Sequence, residues 1–296
     1  MGKRLLITGA SGFTGRHLIN AANTAGYKTI ALCRNQSEQA AGADRQVFAE
    51  LTEQDALCSA VEEAAPDYVI HLAAIAFVAH NDVSEVYSSN LVGTVNLLQC
   101  LAERSGPAAA RAPVEKIVLA SSANVYGLSQ QLPIGEATPT NPVNHYAMSK
   151  LFMEQAAGQF SDLPITIARP FNYTGVGQSK NFLVPKIVEA FRTRADAITL
   201  GDTTVSRDFS DVRDIVEQYL QLLQTDAGTY NLCSGKATAV TEIIGLLEEL
   251  SAHTVEIGLD ESLLRKNEIP TLYGSSALPG WSAAAATRRP LRDTLG

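Results

Sequence analysis

Short apolar runs alternate with longer helical stretches through the first half of the chain. Each run is bounded by glycine, small or polar residues, which is typical of buried strands. The runs lie at 3–8, 27–33, 46–49, 67–74 and 115–120, and the clearest helical stretches at 16–22, 54–64 and 84–105. This alternation, with a period of roughly 25–30 residues, predicts a parallel, doubly wound α/β sheet.

The first strand leads into a glycine turn that is followed at once by a helix. Glycines there let the backbone approach a pyrophosphate, and the helix N-terminus faces the negative charge. The spacing is Gly-x-x-Gly-x-x-Gly, and the alternative is a tight turn without a ligand. Because the turn follows the first strand, we predict a dinucleotide site. Its candidate residues are Gly9, Ser11, Gly12, Phe13, Thr14 and Gly15.

The end of the second strand bears on the choice between NAD and NADP. A carboxylate there would bind the adenosine ribose 2′-hydroxyl of NAD. The strand instead ends in Arg34-Asn35, with no carboxylate. A guanidinium suits a 2′-phosphate, so we predict that NADP(H) is preferred and that NAD(H) remains possible. The alternative for Arg34 is an ordinary solvated loop cation.

Other strand ends supply further candidates, because ligands bind at the carboxyl ends of parallel strands. Small residues close the strand at 67–74 and would let a cofactor lie across it. We interpret His71, inside an apolar run, as a core residue, and we leave the role of His80 open. Further candidate cofactor contacts are Leu51, Leu72, Ala73, Ala74 and Pro170.

A phenol and an ammonium four residues apart form the candidate acid–base device. Tyr146 and Lys150 share one face of a predicted helix that runs on through 151–157. Bringing the tyrosine pKa from about 10 to neutrality takes roughly 4 kcal/mol, much of which a nearby ammonium and an oxidised nicotinamide could supply. The alternative is an exposed Tyr and Lys with no chemistry. Ser122 follows the strand at 115–120 and is the expected companion.

Composition narrows the partners and the compartment. The 296 residues suit one large domain, or a large and a small domain that share a cleft. A net charge of −8 argues against nucleic acid as a partner. The start reaches Gly9 too soon for a signal peptide, and no apolar run approaches the ~18–20 residues that span a bilayer. We therefore expect a cytoplasmic protein without a membrane partner.

The cysteines make no Cys-x-x-Cys pair, so the sequence predicts no metal site. We interpret all of them as buried or free thiols in a reducing compartment, outside any disulfide framework. They are Cys33, Cys58, Cys100 and Cys233.

The glycine turn, Ser122 and Tyr146-x-x-x-Lys150, in that order, resemble the extended short-chain dehydrogenases/reductases. That family includes nucleotide-sugar epimerases, dehydratases and ketoreductases, and the resemblance runs from Lys3 to about Leu295. It implies that Tyr146 transfers a proton, that Lys150 holds the nicotinamide ribose, and that Ser122 binds the reacting sugar oxygen. It also implies that Asn90 orders a water or backbone group near Lys150.

The resemblance implies two domains and a substrate side. It implies a dinucleotide-binding Rossmann domain over 1–171, with returns from about 195–235, and a smaller α/β, mainly substrate-binding domain over 172–296. Family members often dimerise through the helices bearing Asn90 and Tyr146, so we expect a homodimer. The implied contacts to the base, diphosphate and sugar are Asn172, Asn181, Val184, Lys186, Arg207 and Arg265.

The segment 171–179 is similar to that of the GDP-4-keto-6-deoxy-mannose reductases, which make GDP-rhamnose. Dehydratases of the family carry an acid after the Ser/Thr, whereas this chain has Ala123 and Asn124. We therefore favour NADPH-dependent reduction of the C4 ketone of a nucleotide-linked 4-keto-6-deoxy sugar. The alternatives are a 4-epimerase that retains NAD and a non-catalytic dinucleotide-sensing regulator.

Overall fold

Strands and helices alternate along the chain in the structure, a computed structural model that describes residues 2–77, 80–105, 112–129, 131–263, 269–281 and 289–296. The strands are β1 (Arg4–Thr8), β2 (Lys28–Cys33), β3 (Arg45–Phe48), β4 (Tyr68–His71), β5 (Lys116–Ala120), β6 (Ile165–Pro170), β7 (Asn172–Thr174), β8 (Ala197–Leu200), β9 (Ser206–Asp211), β10 (Thr229–Leu232), β11 (Ala237–Ala239), β12 (Glu256–Leu259) and β13 (Thr271–Leu272). The helices are α1 (Phe13–Thr24), α2 (Gln54–Ala64), α3 (Val83–Tyr87), α4 (Gly93–Ser105), α5 (His145–Ala157), α6 (Leu183–Arg192), α7 (Val212–Leu222), α8 (Val240–Ser251) and α9 (Leu291–Leu295).

The main sheet has the strand order β10-β6-β5-β4-β1-β2-β3 within the described residues. The pairs β2/β3, β1/β2, β1/β4, β4/β5 and β5/β6 are all parallel. The chain moves outward from β1 in one direction to β3, then crosses back to β4 and continues outward to β6. This topology confirms the predicted doubly wound α/β fold. It also makes the carboxyl end of β1 the switch point, where such sheets bind their ligands.

The core of this sheet is built from the apolar faces that the sequence pattern predicts. Val69 of β4 and Ile117 of β5 are fully buried. They belong to one cluster with Leu57 of α2, Leu97 of α4 and Met153 of α5. These helices therefore pack against the sheet, and each buried apolar side chain contributes about 1.5–3 kcal/mol to that packing.

The chain divides into two compact units by its internal contacts. The first contains Met1–Gly127, Thr140–Arg169 and Val216–Tyr230, and the second contains Leu128–Pro139, Pro170–Ile215 and Asn231–Gly296. The segment 128–139 joins the second unit because Ile134 bridges Gly274 and the Glu136 carboxylate accepts the Asn231 backbone N–H at 3.0 Å. The functional division at residue 171 stays a prediction.

The second unit has its own small sheets and core. β9 lies between β11 and β13 and also pairs with β7, while β8 pairs with β12. Helices α6 and α8 contribute apolar faces to a cluster that includes Ile187, Phe191, Ile243 and Leu247. This mixture of helices and strands is the smaller α/β part that the resemblance implies.

The long helix expected over 84–105 is interrupted. The chain instead forms α3, a π-helical turn over Ser88–Val92, and α4. Asn90 lies in the π turn and is completely buried. Such π turns occur frequently at functional sites, because they change the direction of one side chain without ending the helix.

The prediction that all four cysteines are free thiols is wrong for two of them. Cys58 of α2 and Cys100 of α4 form a disulfide, with their Cα atoms 4.9 Å apart. The two residues are 42 positions apart and meet because the two helices pack side by side. No local spacing shows such a pairing. Cys33 and Cys233 are buried thiols, as expected.

No helix within the described ranges is long and apolar enough to cross a membrane. The cellular location stays a prediction from the sequence.

Candidate active site

The glycine turn leaves no room for side chains where it meets the sheet. Gly9 has φ +64°, and a Cβ on it would lie 2.8 Å from the Ala73 backbone nitrogen. A Cβ on Gly15 would lie 2.3 Å from the Gly9 carbonyl oxygen. Glycine is therefore required at both positions, by backbone conformation at the first and by close contact at the second. The turn therefore lies directly against the segment that follows β4, and α1 packs against β1 and β2.

The N-terminus of α1 lies at the carboxyl end of β1. Gly12 is the N-cap residue and supplies no side chain, and the Phe13 and Thr14 positions form the first turn of the helix. The backbone N–H groups of a first helical turn point outward along the helix axis, so they suit an anionic ligand. The glycine cradle and this helix end together fit the pyrophosphate of a dinucleotide.

The end of β2 differs from the expectation in one respect: a carboxylate is present. Glu38 folds back so that it accepts hydrogen bonds from the Arg34 backbone N–H and the Ser11 hydroxyl, both at 2.8 Å. The Arg34 guanidinium lies 3.7 Å from the same carboxylate. Sequence reasoning looked for an acid at the strand end itself and so missed one four residues later.

The other candidate cofactor contacts lie at strand ends, as expected. Leu72 and Ala73 follow β4 and receive support from Thr8, whose hydroxyl accepts the Ala73 backbone N–H at 3.1 Å. Leu51 follows β3 and is buried against the position of Gly93. Ala74 is partly exposed after β4, and Pro170 is buried as the last residue of β6. Their contacts with a cofactor stay predictions.

His71 is a core residue, as the sequence reading has it. Its ring nitrogens lie 2.7 Å from the Thr8 hydroxyl and 2.9 Å from the Thr94 hydroxyl. Complete burial, together with the charge of Lys150, lowers the pKa of His71 to about 3. The imidazole therefore stays neutral and serves as a hydrogen-bonded link between β1, β4 and α4.

Helix α5 presents the tyrosine and the lysine. Its N-cap is Asn144, whose side chain accepts the Ala147 backbone N–H at 2.8 Å. Tyr146 is in the first turn and is 9% exposed, whereas Lys150 is 3% exposed. The predicted one-turn spacing is therefore present, because both residues lie in the same regular helix.

The Lys150 ammonium is buried and donates a hydrogen bond of 2.7 Å to the Ala120 carbonyl oxygen at the end of β5. Burial lowers its pKa from 10.5 to about 8, although the charge of Glu154 opposes this shift. Most of the lysine population remains charged at neutral pH. The ammonium is thus held at the end of the strand that leads to Ser122.

Ser122 lies just past β5 and caps a 3-10 turn over Ala123–Tyr126. Its hydroxyl oxygen accepts the Asn124 backbone N–H at 3.2 Å and the Asn124 side-chain amide at 3.1 Å. Because both of these groups donate to the oxygen, the Ser122 proton remains available for another acceptor. Asn124 thus supports Ser122, in a position where dehydratases of the resembling family carry an acid.

Asn90 links two segments of the site. Its side-chain oxygen accepts the Ile75 backbone N–H at 2.8 Å, and its amide donates to the Ile75 carbonyl at 3.1 Å and to the Ser149 hydroxyl at 3.0 Å. Ser149 in turn donates to the Tyr146 carbonyl oxygen at 2.8 Å. Asn90 therefore links the loop after β4, through the Ile75 backbone, to α5, through the hydroxyl of Ser149, the residue before Lys150.

A buried ion pair supports α5 and is absent from the sequence predictions. The Arg169 guanidinium makes two hydrogen bonds to Glu154, at 2.9 and 2.6 Å, and both side chains are 9% exposed. Ser121 donates to the same carboxylate, and Arg169 donates to the Tyr126 hydroxyl at 3.0 Å. The network joins β6, α5 and the strand end that carries Ser122. In the Ala-Arg-Pro segment, the sequence singles out only Pro170, as a candidate cofactor contact.

A cavity of about 440 Å³ opens beside Tyr146. Its wall includes residues of α3, the segment before α5 and α5 itself. His80 lines it and lies 2.8 Å from the Glu85 carboxylate. The remaining lining residues are Val83, Val86, Pro142, Val143, Asn144, His145 and Met148. Tyr146 is therefore one of the residues that line a cavity at the N-terminal end of α5.

The candidate substrate residues of the second unit have varied surroundings. Asn172 and Asn181 are exposed, and Val184 is 3% exposed within the core. The Lys186 ammonium donates to the Thr199 carbonyl at 2.7 Å. Arg207 donates to the carbonyls of Ser206 and Pro270 at 2.9 and 3.3 Å. Arg265 lies outside the described residues.

Asp208, next to Arg207, is fully buried and organises the loops around it. It accepts the backbone N–H groups of Ser234 at 2.6 Å, Gly235 at 2.8 Å and Gly274 at 3.4 Å. Burial raises the pKa of the Asp208 carboxyl, and these hydrogen bonds oppose that effect. The acidic residue of the Arg-Asp-Phe segment is therefore structural, and it fixes the strand that carries Arg207.

The parallel sheet, the glycine cradle at its switch point and the Tyr–Lys helix define a nicotinamide-dinucleotide-dependent α/β enzyme. The family model described as "NAD dependent epimerase/dehydratase family" matches residues 5–233. The chain belongs to that family.

Two relatives align over most of the chain. A GDP-6-deoxy-D-talose 4-dehydrogenase from Aggregatibacter actinomycetemcomitans is 35% identical, over 92% of this chain and 88% of the relative. A GDP-6-deoxy-D-mannose reductase from Pseudomonas aeruginosa is 34% identical, over 100% and 97%. The solved structure of RMD from Pseudomonas aeruginosa, complexed with NADPH, superimposes with a TM-score of 0.82 at 32% identity, covering 99% of this chain and 96% of that one.

Proposed function

We propose that the protein reduces the C4 ketone of a nucleotide-linked 4-keto-6-deoxy sugar with NADPH, converting GDP-4-keto-6-deoxy-mannose to GDP-rhamnose. The observation that carries this proposal is the environment of Ser122. Its oxygen accepts hydrogen bonds from two donor groups of Asn124, and the two residues that follow Ser122, Ala123 and Asn124, are not acids. The set can therefore polarise a carbonyl oxygen, but these two positions offer no carboxylate for dehydration.

The proposed proton path begins at Tyr146. Its hydroxyl donates a proton to the oxygen that becomes the C4 hydroxyl, and Ser122 donates a hydrogen bond to the same oxygen as negative charge develops. A nicotinamide cofactor held at the glycine turn would supply the hydride. Lys150 is held by the Ala120 carbonyl, where its charge favours the phenolate that remains after proton transfer. Asn90 keeps the neighbouring loop in register, so it acts as a positioning residue.

The cofactor side of the proposal uses the first unit. Gly9, Gly12 and Gly15, with the first turn of α1, would hold the pyrophosphate. Arg34 is 68% exposed in its side chain and stands beside the expected position of a 2′-phosphate, so we propose that it favours NADP(H). The relative RMD is complexed with NADPH, which supports this assignment.

The nucleotide-sugar side uses cations in the second unit. Arg207 and Lys186 hydrogen-bond carbonyl oxygens in the structure, contacts that a diphosphate would replace with stronger charge-assisted bonds. We further propose that Asn172 and Asn181 contact the substrate and that Val184 contributes only through its backbone. Two relatives named for GDP-6-deoxy sugars support guanine as the base.

The direct test is NADPH oxidation in the presence of GDP-, UDP- and dTDP-linked 4-keto-6-deoxy sugars. We expect turnover with the GDP sugar and a matching rise in thermal stability with GDP, since a ligand at about 100 times its Kd adds about 2.7 kcal/mol. If none of the three sugars supports NADPH oxidation, the proposal is contradicted. Cofactor binding without turnover of any sugar would instead indicate a dinucleotide-sensing regulator.

The second candidate function is a nucleotide-sugar 4-epimerase that retains NAD. One observation favours it: the Glu38 carboxylate near the adenosine ribose position is the group that suits a 2′-hydroxyl. An epimerase would interconvert two C4 isomers without net use of NADPH. Product analysis with and without added NADPH distinguishes the two reactions.

We also propose a homodimer formed through α4 and α5. Val92, just before α4, and Phe152 of α5 are large apolar side chains that are 46% and 37% exposed. Burying them against a second copy would remove apolar surface from water. Light scattering should give twice the chain mass, and a monomer at all concentrations would contradict this assembly.

A further inference from the structure

Two charged side chains near the end of β2 favour different cofactors. Arg34 favours a cofactor with a 2′-phosphate, whereas Glu38, four residues later, places a carboxylate in the same turn. The two side chains are 3.7 Å apart. Rossmann-type sites use one or the other: an acid for the ribose 2′-hydroxyl, or an arginine for the 2′-phosphate. Because both groups are present here, the choice of cofactor depends on which of the two charges dominates.

The Glu38 carboxylate is fixed in place by groups of the cofactor cradle. One oxygen accepts the Ser11 hydroxyl at 2.8 Å, and the other accepts the Arg34 backbone N–H at 2.8 Å. Ser11 belongs to the glycine turn, between Gly9 and Gly12. The carboxylate therefore lies against the turn that would hold the pyrophosphate, although its own position in the chain is on the loop after β2.

The carboxylate is also less solvent-exposed than its partner. The Glu38 side chain is 24% exposed, and that of Arg34 is 68% exposed. Burial would raise the pKa of Glu38, but the hydrogen bonds from Arg34 and Ser11 and the nearby guanidinium lower it overall. Glu38 is therefore ionised at neutral pH. The fixed group at this site is the anion, and the more exposed group is the cation.

A fixed anion has opposite effects on the two cofactors. It can accept a hydrogen bond from a ribose 2′-hydroxyl, and it repels a 2′-phosphate at the same position. Its negative charge also partly neutralises the Arg34 guanidinium, which would otherwise attract the 2′-phosphate more strongly. Like charges brought together at a binding site reduce affinity strongly.

We propose that Glu38 sets the cofactor selectivity of this protein: held by Ser11 and the Arg34 backbone, its carboxylate accepts the adenosine ribose 2′-hydroxyl and opposes a 2′-phosphate, so that NAD(H) is admitted beside NADP(H). This inference rests on the proposed dinucleotide site at the glycine turn. It does not depend on which sugar is the substrate.

The test measures binding to the protein without substrate. Dissociation constants for NADPH, NADH and the fragment 2′,5′-ADP are obtained by calorimetry for the wild type and for Glu38→Gln. Glutamine keeps the shape and removes the charge: its amide oxygen can still accept the Arg34 backbone N–H, and its amide N–H can donate to the Ser11 hydroxyl oxygen. In Glu38→Gln we expect the ratio of the Kd for NADH to the Kd for NADPH to rise about tenfold. The affinity for 2′,5′-ADP should increase in parallel.

The matched control is Glu63→Gln, because Glu63 pairs with Arg45 at the surface of the same unit, away from the glycine turn. It should leave the ratio unchanged. A ratio in Glu38→Gln that stays equal to the wild-type value, or falls, overturns the inference. The wild-type ratio reports separately on the proposed NADPH preference, so that preference can fail while the effect of Glu38 stands. Absence of binding by all variants overturns both.

Discussion

The α5 region and the substrate-side segments of the second unit hold their polar groups in different ways. Around α5, Lys150, Glu154 and Arg169 are buried and bonded to groups from several elements. In the second unit, Lys186 and Arg207 are more exposed, and both donate hydrogen bonds to backbone carbonyls. The proposed acid–base machinery is therefore preorganised, whereas the proposed diphosphate ligands can change partners when a ligand binds.

The largest effect is expected at the phenol. Tyr146→Phe removes the proposed proton donor but little volume, so kcat for sugar-ketone reduction should fall by about 10²–10⁴-fold. NADPH affinity, measured by fluorescence titration, should stay close to that of the wild type. The matched control is Tyr87→Phe, because the Tyr87 hydroxyl hydrogen-bonds to His145 at 3.2 Å and has no place in the proposed proton path. Equal losses of kcat in the two variants would contradict the assignment of Tyr146 as the proton donor.

Breaking the buried Glu154–Arg169 ion pair should lower the free energy of unfolding far more than breaking an ion pair in the second unit. Glu154→Gln leaves the Arg169 charge without its partner, which should cost about 3–5 kcal/mol of unfolding free energy in urea titrations. The control is Glu189→Gln in α6, a partly exposed acid paired with Arg192 and Lys180, whose side chains are exposed. It should leave the urea midpoint nearly unchanged. Similar midpoints for both variants would show that burial does not distinguish the two regions.

The buried ammonium should make stability depend on pH. Lys150 has a pKa of about 8 in the folded protein and 10.5 in its ordinary environment. Between these values the unfolded chain binds more protons than the folded one, so unfolding free energy rises with pH in this window. Relative to Lys150→Met, the wild type should gain about 3 kcal/mol from pH 8 to pH 10.5. Parallel curves for the two proteins would contradict a lowered lysine pKa.

A smaller effect, confined to substrate affinity, is expected in the second unit. Arg207→Gln should raise KM for the nucleotide sugar about tenfold and leave kcat unchanged, because it removes one charge-assisted contact to the diphosphate. Arg192→Gln, an exposed arginine paired with Glu189, is the matched control. A fall in kcat without a change in KM would assign Arg207 to the chemical step instead.

The sequence predicts local structure well where one physical signal dominates. The glycine turn, the strand ends and the Tyr146–Lys150 spacing each follow from neighbouring residues, and the structure has them in regular elements. The parallel, doubly wound sheet follows from the alternation of strands and helices, since crossovers in such sheets obey strong topological rules.

What the sequence does not predict are contacts between distant residues. The Cys58–Cys100 disulfide, the Glu154–Arg169 pair and the Asp208 loop anchor each join segments whose proximity depends on packing. The return of Glu38 to Ser11 is shorter in sequence but depends on a loop without regular structure. These features carry no periodic pattern, and therefore only the folded chain shows them.

The most direct test of the central claim follows the hydride. The protein is incubated with GDP-4-keto-6-deoxy-mannose and NADPH carrying deuterium at the transferable C4 position, and the sugar is examined by NMR. We predict one deuterium at sugar C4 for each NADPH oxidised in the wild type, with this product nearly absent in Tyr146→Phe. A C4-hydroxyl product that carries no deuterium from the added NADPH, or undiminished labelling in Tyr146→Phe, would contradict the account.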